Sequence, residues 1–481
     1  KREAMRAAGL DPYPHVYRRT HKAGRLQEQY KDLESGAETE DRVKVAGRVM
    51  AMRNNGLFID LQDASGRIQI FTHKDSAPEE ERSKLDYIDL GDIIGAEGTI
   101  RRTPRGELSV RTDKIDVLTK SLQPLPEKYH GLTDVETRYR QRYLDLIMNE
   151  DSREKLRLRS LIVREMRAYF EKRGALEVET PILHAIMGGA SAKPFVTHHN
   201  ALDADFYLRV ATELHLKRLI VGGFADAVYE IGRCFRNEGI SPKHNPEFTS
   251  IEYYEAYADY HDMMDMTEEF VAHIAHTVLG TLEIAFGDHV LNLAGPWPRK
   301  PMHDAVAERT GVNPIDYKEA APLEQAFRDK GYSLPPGLNW GQIVEHMFGE
   351  EVEPHLTQPI HITDFPADIS PLAKPHREYP NRLTERFESF INGWEIANAF
   401  TELNDPDIQR ARFEDQVKAR EKGDDEAQML DTDFIQALEY GLPPTGGWGF
   451  GVDRFVMILT NSHNIREVLA FPTLKPNTDH D

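Results

Sequence analysis

The chain has 481 residues, of which 29% are charged and 40% are hydrophobic, and its formal net charge is -21 at pH 7. This length exceeds what one hydrophobic core usually serves, so two or three domains are expected. The acidic balance argues against a generally basic nucleic-acid coat, although local basic patches can still bind phosphates.

Features that the sequence lacks indicate the cellular compartment of the protein. No apolar run approaches the roughly 20 residues of a membrane-spanning helix, and no signal peptide is visible, so we expect a cytoplasmic protein without membrane contact. The chain starts at Lys1 rather than Met, so a lost targeting segment would allow an organelle instead. The single cysteine, Cys234, allows no internal disulfide, which fits a reducing compartment.

The N-terminal part separates into a helical extension over residues 1–40 and a β-rich region over 41–120. Alternating runs separated by turn residues predict five strands in this region. They cover 43–53, 56–63, 66–73, 92–102 and 107–118, with a polar helical segment at 79–90. Five strands with a helix after the third predict a five-stranded OB-fold β-barrel.

One face of the predicted barrel carries candidate nucleic-acid contacts. Phe58 and Gln69 lie on the second and third strands, and Arg48 and Arg53 lie on the first. OB barrels bind single strands on this face, where each aromatic–base stack contributes roughly 1–3 kcal/mol. The alternative is that Phe58 is an ordinary core residue.

Residues 121–137 contain Pro124 and Pro126 and are predicted to be a linker. A long amphipathic helix pattern then covers 156–173, and a predicted strand, ALEVETPIL, follows Gly174. Over 138–481 strands and helices mix without a regular βαβ rhythm. This favours an α+β domain built on an antiparallel sheet.

Two alternating runs, 228–235 and 248–257, flank a polar loop and predict a pair of strands. Alternation and the loop would bring a mixed set of side chains to one side of the sheet. The set consists of Arg236, Glu238, His244, Phe248, Glu252 and Tyr254. An arginine, an aromatic ring and carboxylates together suit a bound nucleotide with a cationic ligand beside it.

A second hairpin is predicted at Asn392-Gly393, because this dipeptide favours a two-residue turn between alternating runs. With that turn, Glu388 and Glu395 share a face as diagonal neighbours, about 7 Å apart at Cβ. A hard cation such as Mg²⁺ would relieve their repulsion and bridge to phosphates. The alternative is a solvent-facing pair with basic neighbours.

A glycine-rich run, TGGWGFGVDRFVMILT, leads into an apolar helix pattern near the C-terminus. Glycines allow close approach of backbone to a ligand, and Arg454 could hold a phosphate. The order of residues matches neither a Walker A loop nor a Rossmann fingerprint.

Together these stretches resemble the class II aminoacyl-tRNA synthetases. The helix and strand ending at Pro181 resemble motif 1, FRNE with HNPEF resembles motif 2, and GWGFGVDR resembles motif 3. An OB-fold ahead of the catalytic domain is typical of the lysine, aspartate and asparagine subgroup. Within it, the lysyl-tRNA synthetase family of bacterial and plastid type is the most similar. The segments that carry this likeness are GGASAKPFVTHHNALD, TELHLKRLIVGG, AYADYHD, TERFE, TELNDP and GDDEA.

The resemblance implies a role for each candidate residue. For ATP it implies Arg236, Glu238, His244, Phe248, Glu388 and Arg454, with Arg236 and Arg454 as the catalytic pair. For lysine it implies Gly189, Glu213, Glu252, Tyr254, Asn398, Phe400, Glu402 and Gly449. It implies Glu388 and Glu395 as Mg²⁺ ligands, with up to three ions per site. For the anticodon it implies Arg48, Arg53, Phe58, Gln69 and Glu107.

The resemblance also implies a homodimer that acts on ATP, L-lysine and tRNA(Lys) in two steps. Lysine would first form an adenylate, and the lysyl group would then pass to the 3′ end of the tRNA. The alternatives are a related ligase that modifies a protein, which would lack the barrel, and an OB-fold nucleic-acid-binding protein with a degenerate synthetase domain.

Strict pleating would place Asn398, Phe400 and Glu402 on the opposite face from Glu395, yet the resemblance puts them in one site. A β-bulge is therefore expected between Glu395 and Asn398. The sequence departs from the family at Thr212, where a proline is common, and at the bulky Trp448 and Phe450.

Overall fold

The computed structural model describes residues 1–126, 132–423 and 426–476. The chain divides into two compact units, Lys1–Thr133 and Asp134–Asp481. Part of the predicted linker, 127–131, lies outside the described residues, as do Asp424 and Asp425 of the GDDEA segment. The predicted boundaries at 40, 120 and 137 stay predictions.

The first unit is a small β-structure with three short helices. Its elements are α1 (Arg2–Ala7), α2 (Ala23–Gln29), β1 (Glu38–Arg53), β2 (Phe58–Asp63), β3 (Gly66–Phe71), α3 (Glu79–Ser83), β4 (Ile93–Arg102) and β5 (Leu108–Thr119). The strands pair in the order β1-β2-β3-β5-β4, and β1 pairs with β4 as well, which closes the barrel. All five predicted strands are confirmed.

The interior of the barrel follows from the alternation seen in the sequence. Val43, Val45 and Val49 of β1 are buried, as are Ile59 and Leu61 of β2. The predicted helix after the third strand is shorter than expected, since α3 passes into a 3₁₀ turn at Lys84–Tyr87.

The second unit holds the remaining elements. Its helices are α4 (Val135–Arg140), α5 (Arg142–Met148), α6 (Glu150–Arg173), α7 (Glu213–Val221), α8 (Tyr260–Leu279), α9 (Met302–Thr310), α10 (Ala320–Asp329), α11 (Trp340–Glu351), α12 (Pro406–Glu421), α13 (Thr432–Gly441), α14 (Val452–Leu459) and α15 (Ile465–Val468). Its strands are β6 (Leu176–Glu177), β7 (Leu183–His184), β8 (Val196–His199), β9 (Ala204–Leu208), β10 (Ala227–Phe235), β11 (Glu247–Ala256), β12 (Glu283–Phe286), β13 (His289–Asn292), β14 (Arg299–Pro301), β15 (Ile360–Thr363), β16 (Arg386–Ile391), β17 (Trp394–Thr401) and β18 (Thr445–Gly451).

Eight of these strands form one sheet in the order β14-β15-β16-β17-β18-β11-β10-β6. The prediction of a purely antiparallel sheet is wrong, because β6 pairs with β10 and β14 pairs with β15 in parallel. Both pairs lie at an edge of the sheet. In each, long stretches of chain separate the partners, and α9, α10 and α11 separate β14 from β15, as parallel pairing requires.

The strand predicted at 175–183 is also much shorter than expected. Only Leu176–Glu177 pairs in the large sheet, and Leu183–His184 pairs with β9 in a separate three-stranded sheet. Pro181 lies between the two segments and has no N–H to donate to a ladder.

One face of the large sheet is covered by α6 and α8. Phe170 of α6 lies 5.1 Å from the Tyr253 ring, and Phe270 of α8 lies 5.2 Å from the Trp448 ring, measured between centroids. These aromatic residues belong to a buried core that fixes the central strands. The opposite face of the same strands packs in part against α7 and α13, around Tyr254 and Phe400, and a cavity opens beside these residues.

The hairpin of β16 and β17 has the predicted register. Asn392 and Gly393 both have positive φ, 55° and 65°, as a type I′ turn requires, and Phe390 pairs with Glu395. The register shifts at Ile396, so that Glu388 pairs with Asn398. The expected bulge between Glu395 and Asn398 is confirmed, and it brings both residues to one face of the sheet.

Among the described residues, no helix combines the length and the hydropathy that a bilayer crossing needs.

Candidate active site

A cavity of about 200 Å³ opens beside β11, β17 and β18, on the face of the sheet away from α6 and α8. Its lining includes thirteen of the residues predicted from sequence. They are Gly189, Glu213, Arg236, Glu238, His244, Phe248, Glu252, Tyr254, Glu395, Asn398, Phe400, Gly449 and Arg454. Glu388 and Glu402 are outside the lining; Glu388 pairs with Asn398 across the hairpin, and Glu402 lies against Gly447.

The glycine-rich strand β18 forms the floor of this cavity. A Cβ at Gly447 would overlap the Glu402 carboxylate and lie 2.7 Å from the Tyr254 ring, so only glycine fits there. Trp448 points to the other face, where its indole Nε1 donates to Thr267 Oγ1 at 2.8 Å. Trp448 and Phe450 are both 1% exposed and belong to the core, and both residues also border the cavity.

The first end of the cavity is cationic. The Arg236 guanidinium lies 5.1 Å from the centre of the Phe248 ring, and its buried Nε has no hydrogen-bond partner in the described part of the chain. Arg454 donates to the Glu395 backbone carbonyl at 2.6 Å and to its carboxylate at 3.2 Å. A ring with an arginine above it, and a second arginine nearby, suits a base and its phosphates.

His244 links this end of the cavity to the loop between β10 and β11. Its Nε2 lies 3.0 Å from an Arg454 nitrogen, and its Nδ1 lies 2.7 Å from Ser241 Oγ. Partial burial and the positive charge of Arg454 lower the pKa of His244. A neutral ring accepts from Arg454 at Nε2 and donates from Nδ1 to Ser241.

Glu388 and Glu395 lie beside the cationic end. Glu388 accepts from Arg386 at 2.6 Å, and Arg386 also donates to Asn398 Oδ1 at 2.9 Å. Burial and the charge of Glu395 raise the pKa of Glu388 to about 8. Two carboxylates that repel each other in this way suit a divalent cation. In the described ranges, no group of three or more His, Cys, Asp or Glu side chains could hold a metal by itself, so phosphate oxygens would have to complete the shell.

The other end of the cavity is acidic and more deeply buried. Glu252 accepts from the Tyr254 hydroxyl at 2.9 Å and from the Thr212 backbone N–H at 3.1 Å. Glu213, at the start of α7, accepts from Lys217 Nζ at 2.5 Å, and Lys217 also contacts Glu402. Three carboxylates and one ammonium are therefore enclosed together.

The pKa values of two of these carboxylates are raised, chiefly because the groups are buried. Burial and the charge of Glu213 raise the pKa of Glu252 to about 7. Burial also raises the pKa of Glu402 well above its usual range, against the opposing effect of Lys217. An ammonium ligand would neutralise this excess of negative charge.

Two residues that contact the site were not predicted from the sequence. Lys217 lies four residues after Glu213, so both share one face of α7, and Arg386 lies two residues before Glu388 on β16. Both lie in segments that resemble the lysyl-tRNA synthetase family, Lys217 in TELHLKRLIVGG and Arg386 in TERFE. The four-residue spacing in the helix and the two-residue spacing in the strand were the signals in the sequence that could have identified them.

The barrel residues do not form one cluster. Arg53 pairs with Phe58 across the strands and makes a bidentate ion pair with Asp60, and Phe58 lies 5.2 Å from Phe71. Two more predicted positions adjoin Arg53: Gln69 pairs across the strands with Asp60, and the pKa of Arg53 is raised by Asp60 and, less strongly, by Glu107. Gln69 is buried and accepts from Ser109, and Glu107 lies in the turn before β5.

Arg48 points elsewhere, because its guanidinium donates to the Gly91 carbonyl at 2.7 Å. Two unpredicted side chains extend the aromatic surface instead. The Arg101 guanidinium lies 4.7 Å from the Phe71 ring, and the His73 ring stacks on Phe71 at 5.6 Å.

Comparison with known proteins agrees with both units. The family of class II tRNA synthetases for D, K and N matches residues 134–475, and the OB-fold nucleic acid binding domain matches residues 43–118. A lysine–tRNA ligase of Gloeobacter violaceus is 53% identical over 99% of this chain and 97% of its own.

Two further relatives have the same description. A lysine–tRNA ligase of Bacillus cereus is 52% identical, and one of Carboxydothermus hydrogenoformans is 50% identical, each over 99% of this chain and 96% of its own. On the family match and these identities, the chain belongs to the class II tRNA synthetases of the D, K and N group.

Proposed function

We propose that this protein is a lysine–tRNA ligase, which activates L-lysine with ATP and transfers the lysyl group to the 3′ end of tRNA(Lys). The observation that carries the proposal is one cavity with two unlike ends. Arg236 and Arg454 face one end, and the buried carboxylates Glu213 and Glu252 face the other, with Glu402 behind them. A ligand with phosphates and ammonium groups fits such a cavity.

In the first step, the lysine carboxylate attacks the ATP α-phosphate in line, and pyrophosphate leaves. The attacking oxygen is already ionised, so the step requires no general base. Arg236 binds the α-phosphate and the lysine carboxylate, Phe248 stacks on adenine, and Arg454 binds the γ-phosphate. Glu238 and His244 lie beside the nucleotide. Catalysis then consists of positioning and of charge stabilisation.

The lysine side chain would lie along the acidic end of the cavity. Gly189 and Glu213 take the α-amino end, and Glu252, Tyr254 and Glu402 take the terminal ammonium. Asn398, Phe400 and Gly449 complete the walls. Support comes from the burial of these acids, since a buried cation needs paired and hydrogen-bonded partners.

Glu388 and Glu395 would hold Mg²⁺, with up to three ions per site. The ions would supply neutralisation of phosphate charge during the displacement. The raised pKa of Glu388 supports this assignment, because burial and the charge of Glu395 together raise it and a divalent cation would relieve the repulsion.

The anticodon would bind the barrel. Phe58 and Arg53 support this, since a ring and a cation lie side by side on adjacent strands. Gln69, Glu107 and Arg48 are the remaining proposed contacts. The Arg48 bond to Gly91 must open for that residue to take part.

The second unit would form a homodimer through the segment that resembles motif 1. An exposed apolar side chain in this segment supports this, since Leu176 on β6 is 46% exposed. Sedimentation should give twice the mass of one chain.

The cytoplasmic location stays a prediction.

The test of the function is transfer of labelled lysine to tRNA. The purified protein with ATP and total tRNA should make acid-precipitable lysyl-tRNA, and periodate-oxidised tRNA should accept none. Equal labelling with another amino acid, or none with lysine, would contradict the proposal.

A further inference from the structure

One cation at the acidic end belongs to the protein itself. The Lys217 side chain is 0% exposed, and its Nζ contacts the carboxylates of both Glu213 and Glu402. The rings of Tyr254, Phe400 and Phe434 lie within 6 Å of this nitrogen, at 5.8, 5.5 and 5.9 Å. Lys217 is thus fixed by two ion pairs and three aromatic faces.

The two oxygens of Glu402 have different surroundings. Both are buried and neither has a hydrogen-bond partner within the described residues, but Oε2 forms an ion pair with Lys217, whereas Oε1 is the atom that a Cβ at Gly447 would meet first. Gly447 and Tyr254 both line the cavity. Oε1 therefore lies at the cavity wall, while Oε2 is held from behind.

We propose that Lys217 is a positioning residue for lysine specificity: it occupies one oxygen of Glu402 and keeps this carboxylate charged, so that the other oxygen can bind the terminal ammonium of the substrate. The inference rests on the proposed lysine activation. It gives a role to Lys217, which has none in the function proposed above.

Charge balance supports the proposal. Once all three are ionised, Glu213, Glu252 and Glu402 carry three negative charges and Lys217 carries one positive charge, so two negative charges are left for a ligand to neutralise. The two ammonium groups of lysine neutralise both, and its carboxylate goes to Arg236. An amino acid with one ammonium leaves a buried charge unpaired, which is costly.

The groups that face Glu402 determine its ionisation. On α7 these are Lys217 and Glu213, and on β11 they are Glu252 and Tyr254. Arg386 on β16 acts on Glu213. Burial raises the pKa of Glu402, and among these groups Lys217 opposes the rise whereas Glu213 and Glu252 add to it. Without the ammonium of Lys217, the pKa of Glu402 should rise further, which favours its protonated form.

The test is the Lys217→Met variant in lysine-dependent ATP–pyrophosphate exchange. At pH 7 the KM for lysine should rise at least about tenfold, as loss of a charged contact predicts, while the KM for ATP stays within about twofold. The raised KM should fall as the pH rises from 7 towards the pKa of the lysine ammonium, because a larger fraction of Glu402 ionises while that ammonium keeps its proton. The wild-type KM should change less.

The matched control is Lys418→Met, which removes a lysine with a 65% exposed side chain that pairs only with Asp415 among the described residues. It should change neither KM. If Lys217→Met does not fold, Lys217→Gln takes its place, since its amide can still donate to Glu213 without a charge.

An unchanged lysine KM, an equal rise in both KM values, or a rise with the wild-type pH profile would overturn the role of Lys217. Wild-type protein without lysine-dependent exchange would instead overturn the proposed function and this inference together. The norleucine-to-lysine ratio of kcat/KM should also rise in Lys217→Met, and an unchanged ratio contradicts the specificity role.

Discussion

Two groups of carboxylates lie in or behind the walls of the cavity, and their surroundings differ. Glu388 and Glu395 are partly exposed, with side-chain exposures of 15% and 40%, and their counter-charges are the arginines Arg386 and Arg454. Glu213 and Glu402 are 8% and 0% exposed and share a buried lysine. The first pair keeps access for a hydrated ion and phosphates, whereas the second group excludes water and suits an organic ammonium.

The largest effect is expected at the exposed pair. Glu395→Gln keeps the shape of the side chain but removes half of the charge that would hold Mg²⁺. Exchange activity should fall at least about a hundredfold while the thermal unfolding midpoint stays near that of the wild type. Glu350→Gln, on an exposed face of α11, is the control. Full exchange activity in Glu395→Gln would contradict the metal assignment.

At the buried group, Glu402→Gln should affect one substrate only. Loss of the charge leaves Lys217 and the lysine ammonium short of a partner, so the KM for lysine should rise about a hundredfold. The KM for ATP should change little, because the nucleotide contacts lie at the other end of the cavity. Equal losses in both Michaelis constants would count against the assigned role.

A pH series distinguishes the two groups further. The pKa of Glu252, raised to about 7 by burial and by Glu213, means that this carboxylate gains a proton as the pH falls through 7. Lysine binding should therefore weaken below pH 7, by up to about tenfold per unit, since each pKa unit corresponds to 1.36 kcal/mol. In Glu252→Gln this pH dependence of lysine binding should disappear. A pH profile identical to that of the wild type would refute the role of Glu252.

The smallest effect concerns Thr212, whose backbone N–H donates to Glu252. Thr212→Pro removes this donor and should raise the KM for lysine by about threefold to tenfold, as loss of one hydrogen bond predicts. Thr212→Ala keeps the N–H and should bind lysine as the wild type does. Equal behaviour of the two variants would show that this hydrogen bond has no role in binding.

The two carboxylate groups also differ in how far the sequence predicted them. The Asn392-Gly393 turn and strict alternation were enough to place Glu388 near Glu395, whereas the bulge, which the structure has at Ile396, was expected because the resemblance puts Glu395 and Asn398 in one site. Local pairing rules determine such a hairpin. The sequence predicted no edge pairing, so β6 and β14 were missed as parallel partners.

The acidic group was harder to predict, because its members come from α7, β11 and the end of β17. Their meeting depends on tertiary packing, and only the resemblance to a family brought Glu213, Glu252 and Glu402 together in advance. Lys217 was missed, since a lysine inside a helix pattern usually points to solvent. Its position four residues after Glu213 was the one local sign.

The most direct test of lysine activation is ATP–pyrophosphate exchange with lysine, ornithine and arginine compared at the same concentrations. We expect strong exchange with lysine, weak exchange with ornithine, whose ammonium falls one methylene short of Glu402, and none with arginine. Exchange that is equally fast with all three, or absent with lysine, would contradict this expectation.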